Sequence, residues 1–163
     1  MRLKDLKPED YIIYVDIDGV LADLQNYVDD VLGEKSVDLN NDDNWKKLRK
    51  LNEPNFSKLN LLPDAMTLWN YVKKYKPNVL TATGQPADRN DKLKRQWVKN
   101  NLTGYNNVYS VVASRNKAKW AWPDAILIDD RMKSVGPWRE KGGIGIHHTS
   151  ATNTIAELKK LGL

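Results

Sequence analysis

The chain has 163 residues, with 26 Lys and Arg against 21 Asp and Glu and a formal net charge of +5. That length suits one domain with its own core, and a composition 40% hydrophobic and 29% charged excludes fibrous or disordered classes. The absence of cysteine excludes disulfides, thiolate metal sites and cysteine nucleophiles. No apolar run approaches the ~20 residues of a membrane span, and the charged stretch from Met1 to Tyr14 lacks the apolar region of a secretory signal. The expected location is therefore the cytoplasm, with no membrane partner. A positive balance suits anionic partners such as phosphates and nucleic acid, but lysine-rich helix faces solvated in the ordinary way give the same balance, so charge alone selects nothing.

In chain order, Tyr11 to Val15 is a short β-branched and aromatic run that predicts a buried strand ending in Asp16-Ile17-Asp18-Gly19. Val20, Leu24, Tyr27, Val28, Val31 and Leu32 then recur at helical spacing. Residues 33–60 are polar, with Trp45, Leu48, Leu51 and Phe56 as the main apolar points. Residues 24–62 together read as a small helical cap inserted into a single domain spanning 1–163. They hold too little apolar material for a core of their own, so a lid over the carboxyl edge of the sheet is expected. Pro63-Asp64 opens the next helix, with Asp64 as its cap. Asn78 to Thr83 is a second strand, and Asp88 to Leu102 a helix built on Leu93, Trp97 and Val98 and closed by Gly104. Val108 to Val112 is a third strand, after which Ser114 caps a short helix through Trp120. Ala125 to Ile128 is a fourth strand, running into Asp129-Asp130. Gly143 to His147 is a fifth, and Thr154-Ile155-Ala156-Glu157 has the form of a capping box for the last helix.

Strands alternating with helices predict an α/β fold, a Rossmann-like three-layer sandwich with a central parallel sheet of about five strands and a small helical cap. Ligands of such sheets bind outside the strand carboxyl ends. Asp16, Asp18, Thr81, Thr83, Asp129 and Asp130 all fall there.

Asp16 and Asp18 flank Ile17 at the end of the first strand, and residues two apart on a strand point the same way. Like charges that close repel unless a cation or a shared proton intervenes, and hard oxygen ligands suit Mg²⁺. A solvated Asp-Gly turn explains the first pair equally well. A second acidic pair after another apolar strand shifts the balance, because a helix cap accounts for one Asp per site and not for two at both. Thr81 offers a hydroxyl to a phosphate oxygen. Lys117, in the first turn after Ser114, opposes the helix dipole unless an anion sits there; Lys119 is its rival. Trp45 and Phe56 lie in polar surroundings, where they either stack on a base or hold the cap to the body. His147 and His148 are adjacent on a strand and so point to opposite faces, which disfavours a shared ion. Trp69, Trp97 and Trp138 read most simply as core.

The ordered series Asp16-Ile17-Asp18-Gly19-Val20-Leu21-Ala22-Asp23, Leu80-Thr81, Lys117 and Ile128-Asp129-Asp130 resembles the four motifs of the haloacid dehalogenase superfamily of phosphatases. The resemblance covers most of the chain. It implies a Mg²⁺-dependent phosphomonoesterase with Asp16 as nucleophile, Asp18 as general acid and base, and Thr81 and Lys117 on the phosphoryl group. It also implies a metal site of Asp16, Asp18 and Asp129, supported by Asp130. Within that superfamily, Asn55-Phe56, Leu62-Pro63-Asp64-Ala65, Gln96-Trp97-Val98 and Arg115-Asn116-Lys117 are similar to 5'(3')-deoxyribonucleotidases, with nucleoside monophosphates as the implied substrate. Ala82, Thr83 and Gly84 stand where that subfamily tends to have Ser and Pro. Trp97-Val98, Ile128-Asp129-Asp130-Arg131, Trp138-Arg139 and Gly142 are also similar to the phosphatase domain of phage-type polynucleotide kinases, which act on the 3'-phosphates of nucleic-acid ends. A non-catalytic phosphate- or nucleic-acid-binding protein of the same fold is the alternative from another class.

Overall fold

Successive side chains of a strand face opposite ways, and that period sorts the apolar residues of this sheet into two cores. The computed structural model describes residues 5–163; Met1 to Lys4, the start of the charged N-terminal stretch, lie outside the described residues. Strands β1 (Ile12–Val15), β2 (Asn78–Ala82), β3 (Val108–Val111), β4 (Ala125–Asp129) and β5 (Ile144–His147) form one parallel sheet in the order β3-β2-β1-β4-β5. The helices are α1 (Leu24–Leu32), α2 (Asp42–Lys50), α3 (Ala65–Val72), α4 (Ala87–Asn101), α5 (Met132–Glu140) and α6 (Ala151–Lys160), with short 3₁₀ turns between.

Ile13, Val15, Val79, Ile126, Ile128 and Ile146 face one core, where Trp69 of α3, Trp97 and Val98 of α4 and Leu158 of α6 meet them. Tyr14, Leu80 and Leu127 face the other, covered by Trp138 of α5 and by Trp120. This is the expected three-layer α/β sandwich. The tryptophans read as core are core, and each indole N–H is satisfied: Trp69 donates to Thr103 O, Trp97 to Leu59 O and Trp138 to Ala125 O.

Residues 24–62 do not form a separate core. Leu24, Val28, Val37, Leu48, Phe56 and Leu59 join the same cluster as the first sheet face. Two arginines tie this segment to the carboxyl ends of the sheet. Arg131, just after β4, donates to Asn40 Oδ1 at 2.6 Å, and Arg89, at the start of α4, donates to the carbonyls of Asn52 and Pro54. The segment thus bridges the edge on which the acidic residues lie.

Helix starts are where the structure departs from sequence expectation. The periodicity beginning at Val20 is not helical until Leu24: the amides of Val20, Leu21 and Ala22 converge on Ile17 O, and Asp23 caps α1 by accepting from the Asn26 amide. Ser114 opens a 3₁₀ turn (Ser114–Trp120) with no side-chain cap. Asp64 precedes α3 but caps nothing within it; its carboxylate accepts from the Ala151 amide and joins the starts of α3 and α6. The capping box on Thr154 is not formed. Ser150 caps α6, accepting from the Asn153 amide, while the Thr154 hydroxyl is engaged by His148 Nδ1 at 2.6 Å.

Candidate active site

The sheet places Asp16 by its backbone. The Asp16 amide donates to Ile128 O at 3.0 Å, extending the β1–β4 pairing by one residue. The chain then turns sharply through Asp18 and Gly19, which has φ +81°. Glycine is required here twice over: the backbone is left-handed, and a Cβ would collide with the Asp130 carboxylate. The close approach of Gly19 brings the β4 exit against the β1 exit.

Asp16, Asp129 and Asp130 each offer a carboxylate oxygen within 4.8 Å of the others. Lys117 reaches between the strands, donating to Asp16 Oδ1 at 2.9 Å and to Asp129 Oδ2 at 2.7 Å. Lys117 is 2% exposed, Asp16 5% and Asp129 0%. A buried charge persists only when paired; here one ammonium pairs with two carboxylates, and Asp130 adds a third to the cluster. Burial and the charge of Asp129 raise the Asp16 carboxyl well above the usual carboxylate range, with Lys117 pulling the other way. Burial, then Asp129, pushes Asp130 up to about 6. Burial alone would lower Lys117, but the charges of Asp16 and Asp129 overcome it and raise it.

Two carboxylate oxygens in this region, Asp130 Oδ1 and Asp18 Oδ1, are buried with no hydrogen-bond partner among the described residues. Buried polar atoms are rarely left so. An all-oxygen, under-neutralised cluster with an orphaned oxygen fits a hard divalent cation such as Mg²⁺. The carboxylates that lie close enough together to hold one are Asp16, Asp129 and Asp130. Of the expected set, Asp16, Asp18 and Asp129 supported by Asp130, the Asp18 side chain is paired with Lys94 in this form. Between the two candidate lysines, geometry separates the roles: Lys119 sits 4.3 Å from the centroid of the Trp120 ring, away from the carboxylates.

No family model matches the chain, and no curated protein matches it in sequence. Solved structures do match. A hydrolase from Streptococcus pneumoniae TIGR4 is 13% identical with a TM-score of 0.54, over 92% of this chain and 99% of that one. A HAD-superfamily hydrolase from Ehrlichia chaffeensis is 14% identical at TM-score 0.55, over 93% and 97%. L-2-haloacid dehalogenase from Xanthobacter autotrophicus, solved with chloropropionic acid covalently bound, is 16% identical at TM-score 0.58, over 91% and 82%. The fold is haloacid dehalogenase-like. At these identities the likeness is one of fold, and the residues must supply the chemistry.

Within this haloacid dehalogenase-like fold the sequence reading missed one residue, Lys94 of α4. It is 3% exposed, and its ammonium donates to Asp18 Oδ2 at 2.6 Å, Ala82 O at 2.7 Å and Thr81 Oγ1 at 3.2 Å. In a helix that also carries Lys92, Arg95 and Lys99 one more lysine carries no signal by type. Position does: Asn90, Lys94, Trp97 and Val98 form the buried stripe of α4.

Phe56 is 3% exposed, and the Lys94 ammonium lies 4.4 Å from the centroid of its ring. In this form the ring is closed to a base. Trp45 is half-buried, with its indole N–H donating to Leu39 O within the same insertion. Thr81 is buried at the end of β2 beside Lys94, and the Thr83 hydroxyl donates to Gly84 O. His147 and His148 point apart, the first to Asp130 O and the second to Thr154. No helix among the described residues is long and apolar enough to cross a membrane.

Proposed function

We propose that this chain is a Mg²⁺-dependent phosphomonoesterase in which Asp16 forms an aspartyl-phosphate. The observation that carries the reading is Asp18, with a buried, unpartnered Oδ1 two residues beyond the nucleophile. A carboxylate that displaces a halide releases an anion that needs no proton. A carboxylate that displaces the alkoxide of a phosphate ester needs a proton donor beside the leaving group. The acidic pair at β4 supports the same choice, because a phosphate dianion repels an anionic nucleophile until its charge is neutralised.

Asp16 attacks phosphorus in line, forming an O–P bond as the ester P–O bond breaks. Asp18 passes a proton to the departing alkoxide, which leaves as an alcohol. The resulting carboxylate then takes a proton from water, whose oxygen attacks phosphorus and breaks the Asp16 O–P bond, releasing inorganic phosphate. Lys117, which donates to Asp16 and Asp129, holds them in place and in this reading also donates to an equatorial phosphoryl oxygen. Thr81 offers its hydroxyl from the end of β2. Mg²⁺, held by Asp16, Asp129 and Asp130, would supply charge neutralisation of the phosphoryl oxygens.

For the substrate we propose a nucleoside monophosphate, on the residues similar to 5'(3')-deoxyribonucleotidases. A cytoplasmic location is consistent with that role. The test is a panel of deoxynucleoside 5'- and 3'-monophosphates against a 3'-phosphorylated oligonucleotide, each with Mg²⁺ and with excess EDTA. Preferential release of phosphate from mononucleotides is expected. Preference for the oligonucleotide would transfer the reading to nucleic-acid ends, and no turnover of any ester would refute the phosphatase.

A further inference from the structure

Lys94 stands outside the motifs that suggest the chemistry, yet it is the most fully engaged cation near the site. An ammonium has three N–H donors, and Lys94 has three acceptors at 2.6–3.2 Å with an aromatic ring over it. Its surroundings are buried, so the arrangement is fixed rather than one of many surface rotamers. We propose that Lys94 is a positioning residue that orients both Asp18 and Thr81 for phosphoryl transfer. The proposal rests on the phosphatase reading above.

The argument is one of donors and lone pairs. Asp18 Oδ2 is held by Lys94, whereas Asp18 Oδ1 has no partner. The carboxylate is thereby given one anchored oxygen and one working oxygen, and Oδ1 is the oxygen that handles the proton. The same ammonium donates to Thr81 Oγ1, so the hydroxyl accepts from Lys94 and its own hydrogen is left to point elsewhere. The phosphoryl group is the acceptor available in the proposed reaction. The third contact, to Ala82 O, pins Lys94 to the β2 exit, and the Phe56 ring closes the remaining side. Without the ammonium, Asp18 would lose its anchor and rotate, while binding of the phosphate by Lys117 would persist.

This separates Lys94 from a merely structural residue. A misplaced proton donor harms esters in proportion to their need for a proton. An alkyl leaving group such as that of a nucleoside 5'-monophosphate needs one, while the p-nitrophenolate of p-nitrophenyl phosphate departs as a stable anion. In Lys94→Met, kcat/KM, which reports the steps up to departure of the leaving group and not the shared hydrolysis of the aspartyl-phosphate, should fall roughly 10–100-fold more on the nucleotide than on p-nitrophenyl phosphate. Asp18→Asn should show the same selectivity, and the double variant should be no more selective than Asp18→Asn alone, since residues acting as one unit are not additive. Lys94→Gln, which keeps a donor in the buried space, provides the same ratio if Lys94→Met does not fold. Equal losses on both esters, or additive losses in the double variant, would overturn the positioning role while leaving the phosphatase reading standing. A wild-type protein inactive on both esters would sink that reading and this proposal with it.

Discussion

Asp16 is placed under opposed demands. As the proposed nucleophile it must be ionised, yet burial and Asp129 favour its protonated form. Lys117 offsets part of that, and the proposed cation would offset the rest. Removing the nucleophile should therefore be absolute: Asp16→Asn should neither turn over nor gain the mass of a phosphoryl group on brief incubation with substrate, and a phosphorylated Asp16→Asn protein would show that another residue is the nucleophile. The carboxylate cluster leads to a thermal prediction. A ligand at a hundred times its dissociation constant stabilises by about 2.7 kcal/mol, and a domain of this size shifts by roughly 2–4 °C per kcal/mol. Saturating Mg²⁺ should raise Tm by about 5–10 °C over the EDTA-treated protein. Asp130→Asn removes one of the crowded charges and the orphaned oxygen, so it should raise the Tm in EDTA and shrink the Mg²⁺ increment. An unchanged increment would remove Asp130 from the cation site. Gly19→Ala should do the reverse: a Cβ forced against Asp130 in left-handed backbone costs on the order of 1–3 kcal/mol, and differential scanning calorimetry should show the loss without Mg²⁺.

At the scale of elements, the insertion and α4 belong together. Phe56 packs into the main core and over Lys94, and Trp97 of α4 donates to Leu59 O in the insertion. A base-stacking Phe56 would affect nucleotides and spare p-nitrophenyl phosphate. A buried Phe56 should affect both. Phe56→Ala is expected to cost about 3–5 kcal/mol of stability and to lower turnover of both esters together, as thermal melting and parallel kinetics would record. A selective rise in KM for nucleotides, with Tm preserved, would mean that the insertion opens and presents the ring to substrate. Arg89 and Arg131 fasten the insertion at the ends of β2 and β4. Their joint replacement by Ala should increase amide exchange in residues 40–54, while the sheet stays protected.

Across the whole molecule, the parts legible in sequence were those where type and period agree. The strands are apolar runs with acidic ends, and their order of appearance is enough to predict a parallel sheet. That Asp16, Asp129 and Asp130 would meet was legible because carboxylates that follow two apolar strands of one parallel sheet share its carboxyl edge. What stayed hidden depends on distant partners. Lys94 looks like its neighbours on a lysine-rich helix until Asp18 is placed against it. Thr154 looks like a cap until His148 takes its hydroxyl, leaving Ser150 to start α6. Phe56 was open to two readings, stacking on a base or holding the cap to the body, because its sequence neighbours are polar; its spatial neighbours are the main core.

The two lysine clamps have a temporal consequence. Lys117 and Asp16 are 101 residues apart in the chain, and Lys94 and Asp18 are 76 apart. Helices such as α4 close through local contacts in microseconds, whereas a central parallel strand must wait for both neighbours to arrive from far along the chain. During refolding from denaturant, helical ellipticity should return in an earlier phase than phosphate release, because a chain with its helices made still lacks both charge pairs. The proposed catalytic apparatus should be, in kinetic order, among the last things this polypeptide completes.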